Sequence, residues 1–590
     1  MCGIAGWQLA HGRSRDLSEL ADMSSAIAHR GPDDQGTYVD ASAGVALAHR
    51  RLSIIDLTAG GHQPMADADG KVVVAFNGEL YNFVALRREL AALGHTFRSR
   101  SDTEVVVSAL AHWGPAALGR FNGMFALAAW FPSEARLLLA RDPMGMKPLY
   151  YAALGGGVVF ASEIKAFLVL KGFRPEINRN SLQQFLEFGY VFHEHDTALS
   201  GISKLPPGNA IEISAGRAGQ PHAFFTPPPS LPPGERSVAH VVERLHETLS
   251  DVVREHLVAD VSVGLLLSGG LDSSIIAALA AKDARVTTVT MGFAESKIDE
   301  RAFARDVAGH IGSDHHEVLI YPRKLVEDLE ETVWHFDDLF ADWGTVSTRV
   351  LYRKCREQGI KVVLVGEGAD EIFGGYSIFG ASQLMRGPGV WRLFQLYRRY
   401  AGRRYGRQFA SFAAHMRGYL AQSGGNLFDA VRLFESRRQL PNNYVMKVDK
   451  ASMSVSVEAR APYLDRRVAD IAYTIPANQL LAQGTDKFVL RRMAEQYRLL
   501  PPEITRRPKY GASIAASWMD DSAEFRRFAR DVILAKEGWT EQLGLRGAMT
   551  AFFDGQRGGY RFPRAISIFS NLAWRLLLLN LWARKYLPAA

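Results

Sequence analysis

The sequence predicts two units of different fold class in series: an α+β N-terminal domain of stacked β-sheets with helices, then an α/β C-terminal domain built on a doubly wound parallel sheet with extra helices. Three observations lead there. The chain has 590 residues, more than one hydrophobic core usually organises. Its first 215 or so residues break into short β-type runs separated by turn residues. Beyond the proline-rich FFTPPPSLPPG, apolar strands alternate with amphipathic helices, the pattern of a parallel sheet.

Strands are expected at Gly44 to Ala48, Lys71 to Phe76, Phe125 to Trp130, Ala135 to Ala140 and Gly157 to Phe160, with helical spacing at Asn82 to Leu93 and Thr103 to Trp113. Proline fixes φ and removes donors, so 218–236 reads as a linker between a domain at 2–217 and another at 237–590. The second opens with a helix at Val238 to Leu257 and a strand at Val261 to Leu267. A strand at Val286 to Met291, a helix at Arg301 to Ile311 and a buried strand at Lys361 to Val365 continue the alternation. Helical signals predominate after Arg386.

Composition excludes several classes. Hydrophobic residues at 47% and charged residues at 22% describe an ordinary globular protein. The net charge is +7, and its basic clusters, Arg398 to Arg407 and Arg506 to Lys509, are too diffuse for a nucleic-acid surface. They read as solvated surface, with an anionic substrate such as a nucleotide accounting for part. Cys2 and Cys355, the only cysteines, cannot make a disulfide framework and suit a reducing cytoplasm. The start shows no secretory signal. The apolar run Leu572 to Trp582 is broken by Arg575 and Asn580, so it reads as a packed amphipathic helix and no membrane span is expected. A homodimer stays open.

The chain opens Met1-Cys2-Gly3-Ile4-Ala5-Gly6. Removal of methionine before a small residue would leave Cys2 with a free α-amino group, which titrates near about 7.7–8.0 and can take the thiol proton. One residue then supplies nucleophile and base. Behind it come HRRLSIIDL at 49–57, FNGELYN at 76–82 and RSDTE at 100–104. Alone, NGE is a turn and RSDTE a helix cap. In this order behind Cys2 they resemble the class II glutamine amidotransferases, a family of N-terminal-nucleophile hydrolases. The resemblance implies that Arg51 holds the glutamine carboxylate as a bidentate fork, with Leu52, Ser53, Ile54 and Ile55 alongside. It implies Asn77 and Gly78 as the oxyanion pair, and Glu79 and Asp102 as the residues at the substrate's amino end. HRGPDDQG at 29–36, FNGMFALAAW at 121–130, RDPMGMKPLYY at 141–151 and FASEIKA at 160–166 extend it, assigned to the fold and an ammonia-conducting interior.

In the second half, VGLLLSGGLDSSI at 263–275 runs an apolar strand into a loop of small residues that opens a helix. Backbone N–H groups there, with the hydroxyls of Ser268, Ser273 and Ser274, can converge on phosphate. The loop lacks the lysine and spacing of a Walker A motif and the three glycines of a dinucleotide fingerprint. It resembles the pyrophosphate loop of the N-type ATP pyrophosphatases, and VVLVGEGADEIFGGY at 362–376 resembles the asparagine synthetase signature. The resemblance implies an ATP site at Leu267, Ser268, Gly269, Gly270, Asp272, Ser273, Ser274, Met291, Val365 and Gly366. It implies Mg2+ held by Asp272 and Asp370, oxygen ligands for a hard cation. Glu367 supports adenylate formation and its attack by ammonia, and Lys487, in TDKFVLRRM at 485–493, stabilises the transition state. Val365 stands where the family often has a small hydroxyl residue. NYVMKVDKASMSVSVEARAPYLD at 443–465 matches the same domain, and RRPKYG at 506–511 adds basic residues near its opening.

The resemblance covers nearly the whole chain and implies a B-type asparagine synthetase: glutamine is hydrolysed at Cys2, and ammonia passes to an acyl-adenylate made from ATP and L-aspartate. FADWGTVSTR at 340–349 is expected to border the acceptor pocket, with Trp343 unusually bulky there. Two alternatives remain. One is a paralogous amidotransferase acting on another carboxylate, in natural-product or polysaccharide assembly. The other is a non-catalytic glutamine- or ATP-binding sensor, against which the intact nucleophile and phosphate loop argue. The same intact Cys2 set argues against a β-lactam synthetase.

Overall fold

The computed structural model describes residues 2–225, 237–293, 299–321, 325–401, 408–508, 522–554 and 563–587. Most of the expected linker, 226–236, lies outside the described residues, as do 402–407 of one basic cluster and 509–511 of RRPKYG.

The N-terminal half stacks two antiparallel sheets. The first runs in the order Ser203–Lys204, Tyr150–Leu154, Gly157–Ala161, Gly3–Leu9, Val45–Arg51, Asp34–Asp40. The second follows Arg217–Ala218, Asn209–Ser214, Arg136–Arg141, Gly123–Phe131, Val73–Leu80, Met65–Ala66, with His222–Ala223 beside Asn209–Ser214. Alternate residues of each sheet meet in a shared interior that includes Ile4, Leu47, Ala75, Ala128, Trp130 and Leu139. The outer face of the second sheet packs Phe76, Phe125 and Leu127 against helices Phe83–Ala92 and Asp102–Trp113. Helix Leu17–Ala26 covers the first. A strand such as Gly123–Phe131, apolar on both faces, is explained by this double cover.

The C-terminal half holds a five-stranded, wholly parallel sheet in the order Asp314–Ile320, Thr287–Phe293, Val263–Leu266, Val362–Leu364, Glu458–Arg460. The chain moves outward from Val263–Leu266 on one side and returns on the other, so the C-terminal end of that strand is a topological switch point, where a crevice opens. The helices Val238–His256, Leu271–Ala280 and Arg301–Ile311 were anticipated in kind, the third to the residue, whereas Thr345–Glu357 was not. Helix Pro563–Tyr586 buries Trp574, Leu577 and Trp582, and among the described residues no helix is long and apolar enough to cross a membrane.

A buried ionic seam joins the halves. Arg30, fully buried, donates from Nη1 and Nη2 to the two Asp449 oxygens at 2.9 and 3.0 Å, and from Nη1 to Glu163 at 2.8 Å. Lys147 Nζ adds a contact of 3.2 Å to Asp449, and Lys450 reaches Asp337 at 3.1 Å. Burial alone would raise the Asp449 carboxyl, but Arg30 and Lys147 hold it below its ordinary value of 3.8. A carboxylate depressed in the folded state stabilises fully above its unfolded pKa and less as pH falls through the folded one. Asp449→Asn is therefore expected to lose about 3–5 kcal/mol at neutral pH, because Arg30 is left buried and under-compensated. Unfolding midpoints measured against pH should show the gap to wild type closing below about pH 4.

Candidate active sites in the two domains

Cys2 sits at the head of the central strand Gly3–Leu9, almost fully buried. Burial pushes its thiol up, while the Leu52 N–H and Arg51 pull the other way. A thiol held protonated needs a base at contact distance, and in a mature chain beginning at Cys2 the α-amine is that neighbour.

Asn77 comes from the other sheet. Its Oδ1 accepts from the Cys2 nitrogen at 3.0 Å, and its Nδ2 is buried with no hydrogen-bond partner among the described residues. An orphaned donor beside a buried thiol is a group that an oxyanion formed there would satisfy. Asn77-Gly78-Glu79 is not a turn: it lies inside strand Val73–Leu80, paired with Ala126, Phe125 and Met124. A Cβ at Gly78 would stand 2.3 Å from the Met124 carbonyl, so the residue is fixed by close approach of backbone.

Arg51 closes strand Val45–Arg51. Its Nη1 donates to the Thr58 carbonyl at 2.9 Å and its Nη2 to the carbonyls of Ile55 and Asp56. A Cβ on Gly61 would fall 1.8 Å from Nη2, so only glycine lets this loop wrap the guanidinium. Leu52, Ser53, Ile54 and Ile55 are buried along the same loop. The Ile54 carbonyl accepts from Asp260 N at 2.8 Å, and Ser53 N donates to Asp33, which pairs with Lys361 at 3.0 Å. The loop is thereby tied to the C-terminal half. Ser101 caps helix Asp102–Trp113 by accepting from Thr103 N, which places Asp102 in its first turn, where Oδ2 accepts from Leu80 N at 2.9 Å. Burial raises the carboxyls of Asp102 and Glu79; Asp102 raises Glu79 further, and Arg460 opposes.

At the switch point of the parallel sheet lies a cavity of about 460 Å3. Its lining includes Leu267, Ser268, Gly270, Asp272 and Ser273 from the first loop, Met291 from the neighbouring strand, and Val365, Gly366, Glu367 and Asp370 from the second. The Ser268 and Ser273 hydroxyls are 3.0 Å apart. Gly269 has φ +68, and a Cβ there would meet Phe303 and Ala304 at 2.6 Å; its carbonyl accepts from Arg507 at 3.0 Å. Gly366 approaches so closely that a Cβ would lie 3.0 Å from Ser273 N.

Lys487, 3% exposed, places Nζ 2.5 Å from both Asp272 Oδ2 and Asp370 Oδ1. The two carboxylates hold its ammonium above the ordinary lysine range despite burial. Two carboxylates converging on one cation suit a hard metal ion that completes its shell with phosphate and water, so this pair fits Mg2+; among the described residues no group of three acidic or imidazole ligands occurs. Burial raises the Glu367 carboxyl while Lys447, also lining the cavity, opposes.

Two expectations need correction. Ser274 is fully buried in helix Leu271–Ala280 and, unlike Ser268 and Ser273, does not line the cavity: the helix turns it inward. Trp343 does not face the cavity, although Thr348 of the same segment does; its ring stacks on Trp574 at 4.6 Å and its Nε1 donates to Asn571 at 3.0 Å. Its bulk fills space against the C-terminal helix. Sequence reasoning gave no individual role to Arg30, Asp449, Lys450 or Arg460, and placed Arg507 only among basic residues near the nucleotide opening, where it donates to the Gly269 carbonyl. The available signal was charge inside otherwise apolar motifs, which must be paired if buried.

Both halves of the chain match described protein families. The family described as "Glutamine amidotransferase domain" matches residues 1–224, and that described as "Asparagine synthase" matches 244–584. Asparagine synthetase [glutamine-hydrolyzing] 1 of Bacillus subtilis (strain 168) is 31% identical across 90% of each chain. A putative asparagine synthetase [glutamine-hydrolyzing] of Mycobacterium tuberculosis (strain ATCC 25618 / H37Rv) is 33% identical over 99% of this chain and 97% of its own. Amidase chry2 of Gibberella zeae is 33% identical over 66% of this chain and 62% of its own. By matched domains and whole-length relatives, this chain belongs to the asparagine synthase family, with an N-terminal glutamine amidotransferase domain.

Proposed function

We propose that the chain is a glutamine-dependent asparagine synthetase, with a glutaminase domain at 2–217, a linker at 218–236 and a synthetase domain at 237–590. Arg51 holds the glutamine carboxylate, and Glu79 and Asp102 its α-ammonium. The Cys2 amine takes the thiol proton, the thiolate attacks the side-chain amide, and Asn77 Nδ2 with the Gly78 N–H stabilises the oxyanion. Ammonia leaves, and water releases glutamate from the γ-glutamyl thioester. In the second site ATP lies with adenine between Leu267 and Met291 and its phosphates over Ser268, Gly270 and Ser273. The β-carboxylate of aspartate attacks the α-phosphorus and pyrophosphate departs, its charge met by Lys487. Bound at Asp272 and Asp370, Mg2+ would supply charge neutralisation to the phosphates. Ammonia then attacks the acyl carbon, AMP leaves, and Glu367, whose carboxyl burial has raised, accepts the surplus proton.

The observation that carries this reading is the position of Arg30. Its Nε donates to the Cys2 carbonyl at 3.1 Å while its fork holds Asp449 on helix Val445–Met453, whose Lys447 lines the nucleotide cavity, so a buried contact ties the Cys2 backbone to an element of the second site. A passage for ammonia through that interior keeps it unprotonated and nucleophilic. Purified protein with ATP, Mg2+, glutamine and aspartate is expected to yield asparagine, glutamate, AMP and pyrophosphate. Glutaminase activity without asparagine would refute aspartate as acceptor and turn the search to other carboxylates. Asn77→Ala should cut glutaminase kcat about 10²–10³-fold with a smaller change in KM, read by steady-state glutamate release.

A further inference from the structure

The glutamine pocket holds more acid than its own domain neutralises. Glu79 and Asp102 are buried, and Glu458, fully buried in the C-terminal half, adds a third carboxylate. The guanidinium facing them comes from across the domain boundary. Arg460, on strand Glu458–Arg460, donates from Nε to Glu458 Oε1 at 2.5 Å and from Nη1 to the carbonyls of His256 and Val258 at 2.7 and 2.8 Å. Its own domain therefore clamps it, and the remaining Nη2 reaches to 3.1 Å from Glu79 Oε2. That contact is an ion pair without hydrogen-bond geometry, because Nη2 is buried with no hydrogen-bond partner among the described residues. Beside it the Tyr81 hydroxyl and His256 Nε2 are in the same condition, their rings stacked at 3.6 Å.

We propose that Arg460, a side chain of the ATP-cleaving domain, is a positioning residue of the glutamine pocket: it holds one oxygen of Glu79 so that the other meets the α-ammonium of glutamine. The pocket is then a joint product of both domains. This rests on the function proposed above, in which Glu79 binds that ammonium. Burial and the neighbouring acids Asp102 and Glu458 already raise the Glu79 carboxyl against Arg460, and removing Arg460 would raise it further and leave its oxygens without their fixed partner. The loss should fall on glutamine binding. Arg460 is not among the residues lining the nucleotide cavity, and its carbonyl accepts from Val365 N, of a lining residue, at 2.9 Å.

The test uses the full chain with Arg460→Met, Glu79→Gln and the double variant. Arg460→Met is expected to raise the KM for glutamine about tenfold or more with a smaller change in kcat, while ammonia-dependent ATP consumption stays within about twofold. The double variant should be no worse than the poorer single one, since both remove the same interaction. An impaired Glu79→Gln beside an unaltered Arg460→Met overturns the proposal and leaves the reading of Glu79 standing. Unaltered glutamine use in Glu79→Gln overturns that reading itself. A parallel fall of glutamine- and ammonia-dependent rates in Arg460→Met assigns the residue to the framework and also overturns the proposal. Should Arg460→Met fail to fold, Arg460→Lys carries the test with a smaller expected rise in KM, and no rise overturns it.

Discussion

Cys2→Ala is expected to abolish glutamine-dependent amide synthesis while ammonia-dependent synthesis continues. Asn77 holds the Cys2 nitrogen and Arg51 acts on its thiol, and the other cysteine, Cys355, lies in helix Thr345–Glu357 of the C-terminal half, so it cannot form the thioester in its place. Water attacking glutamine directly would still enjoy the oxyanion donors, but such residual catalysis lies about three to six orders of magnitude below that of an intact nucleophilic site. Alanine removes little volume, and the Cys2 backbone contacts, N–H to Asn77 and carbonyl to Arg30, survive the change. The seam and the distant cavity should therefore stay as they are. Pyrophosphate release assayed with glutamine and then with ammonium separates the outcomes. Loss of both activities would contradict independent centres.

Lys487→Met should have the opposite profile, with glutaminase retained and amide synthesis reduced about 10³-fold. Lys487 takes the left-handed conformation, φ 49, at the head of helix Phe488–Gln496, which points its ammonium at Asp272 and Asp370. Methionine keeps the stem and deletes the charge. If the lysine served only to neutralise the two carboxylates, raised magnesium would replace it and restore the rate. If it meets charge on the departing pyrophosphate, saturating magnesium leaves kcat low. The account predicts no rescue, measured as kcat against magnesium concentration with AMP as product.

Much of this was legible in the residues. Helix Arg301–Ile311 and strands such as Gly157–Ala161 follow from periodicity and punctuation, because their cores sit on one or both faces of regular elements. The nucleotide loop was equally plain, since a strand, a run of small residues and a helix start must occur contiguously. The glutamine pocket was harder. Asn77-Gly78-Glu79 carries a turn's composition yet lies in a strand, because cross-strand packing against Phe125 and Met124 outweighs local preference. Least legible was the seam. Arg30 and Asp449 stand 419 positions apart, and no local rule pairs them. Trp343 shows the converse: a bulky side chain in a motif suggested a shaped substrate pocket, but the stacking partner, Trp574, lies far along the chain.

The most direct test of the central claim follows the nitrogen itself. Glutamine labelled with heavy nitrogen in its side-chain amide is supplied with ATP, magnesium and aspartate in a large excess of unlabelled ammonium. If ammonia passes from Cys2 to the adenylate through the protein, the amide product carries the label well beyond its share of the mixed pool. Label diluted to the composition of the bulk solution would mean that the centres exchange nitrogen through solvent, and the account of two sites joined across the Arg30 seam would be wrong.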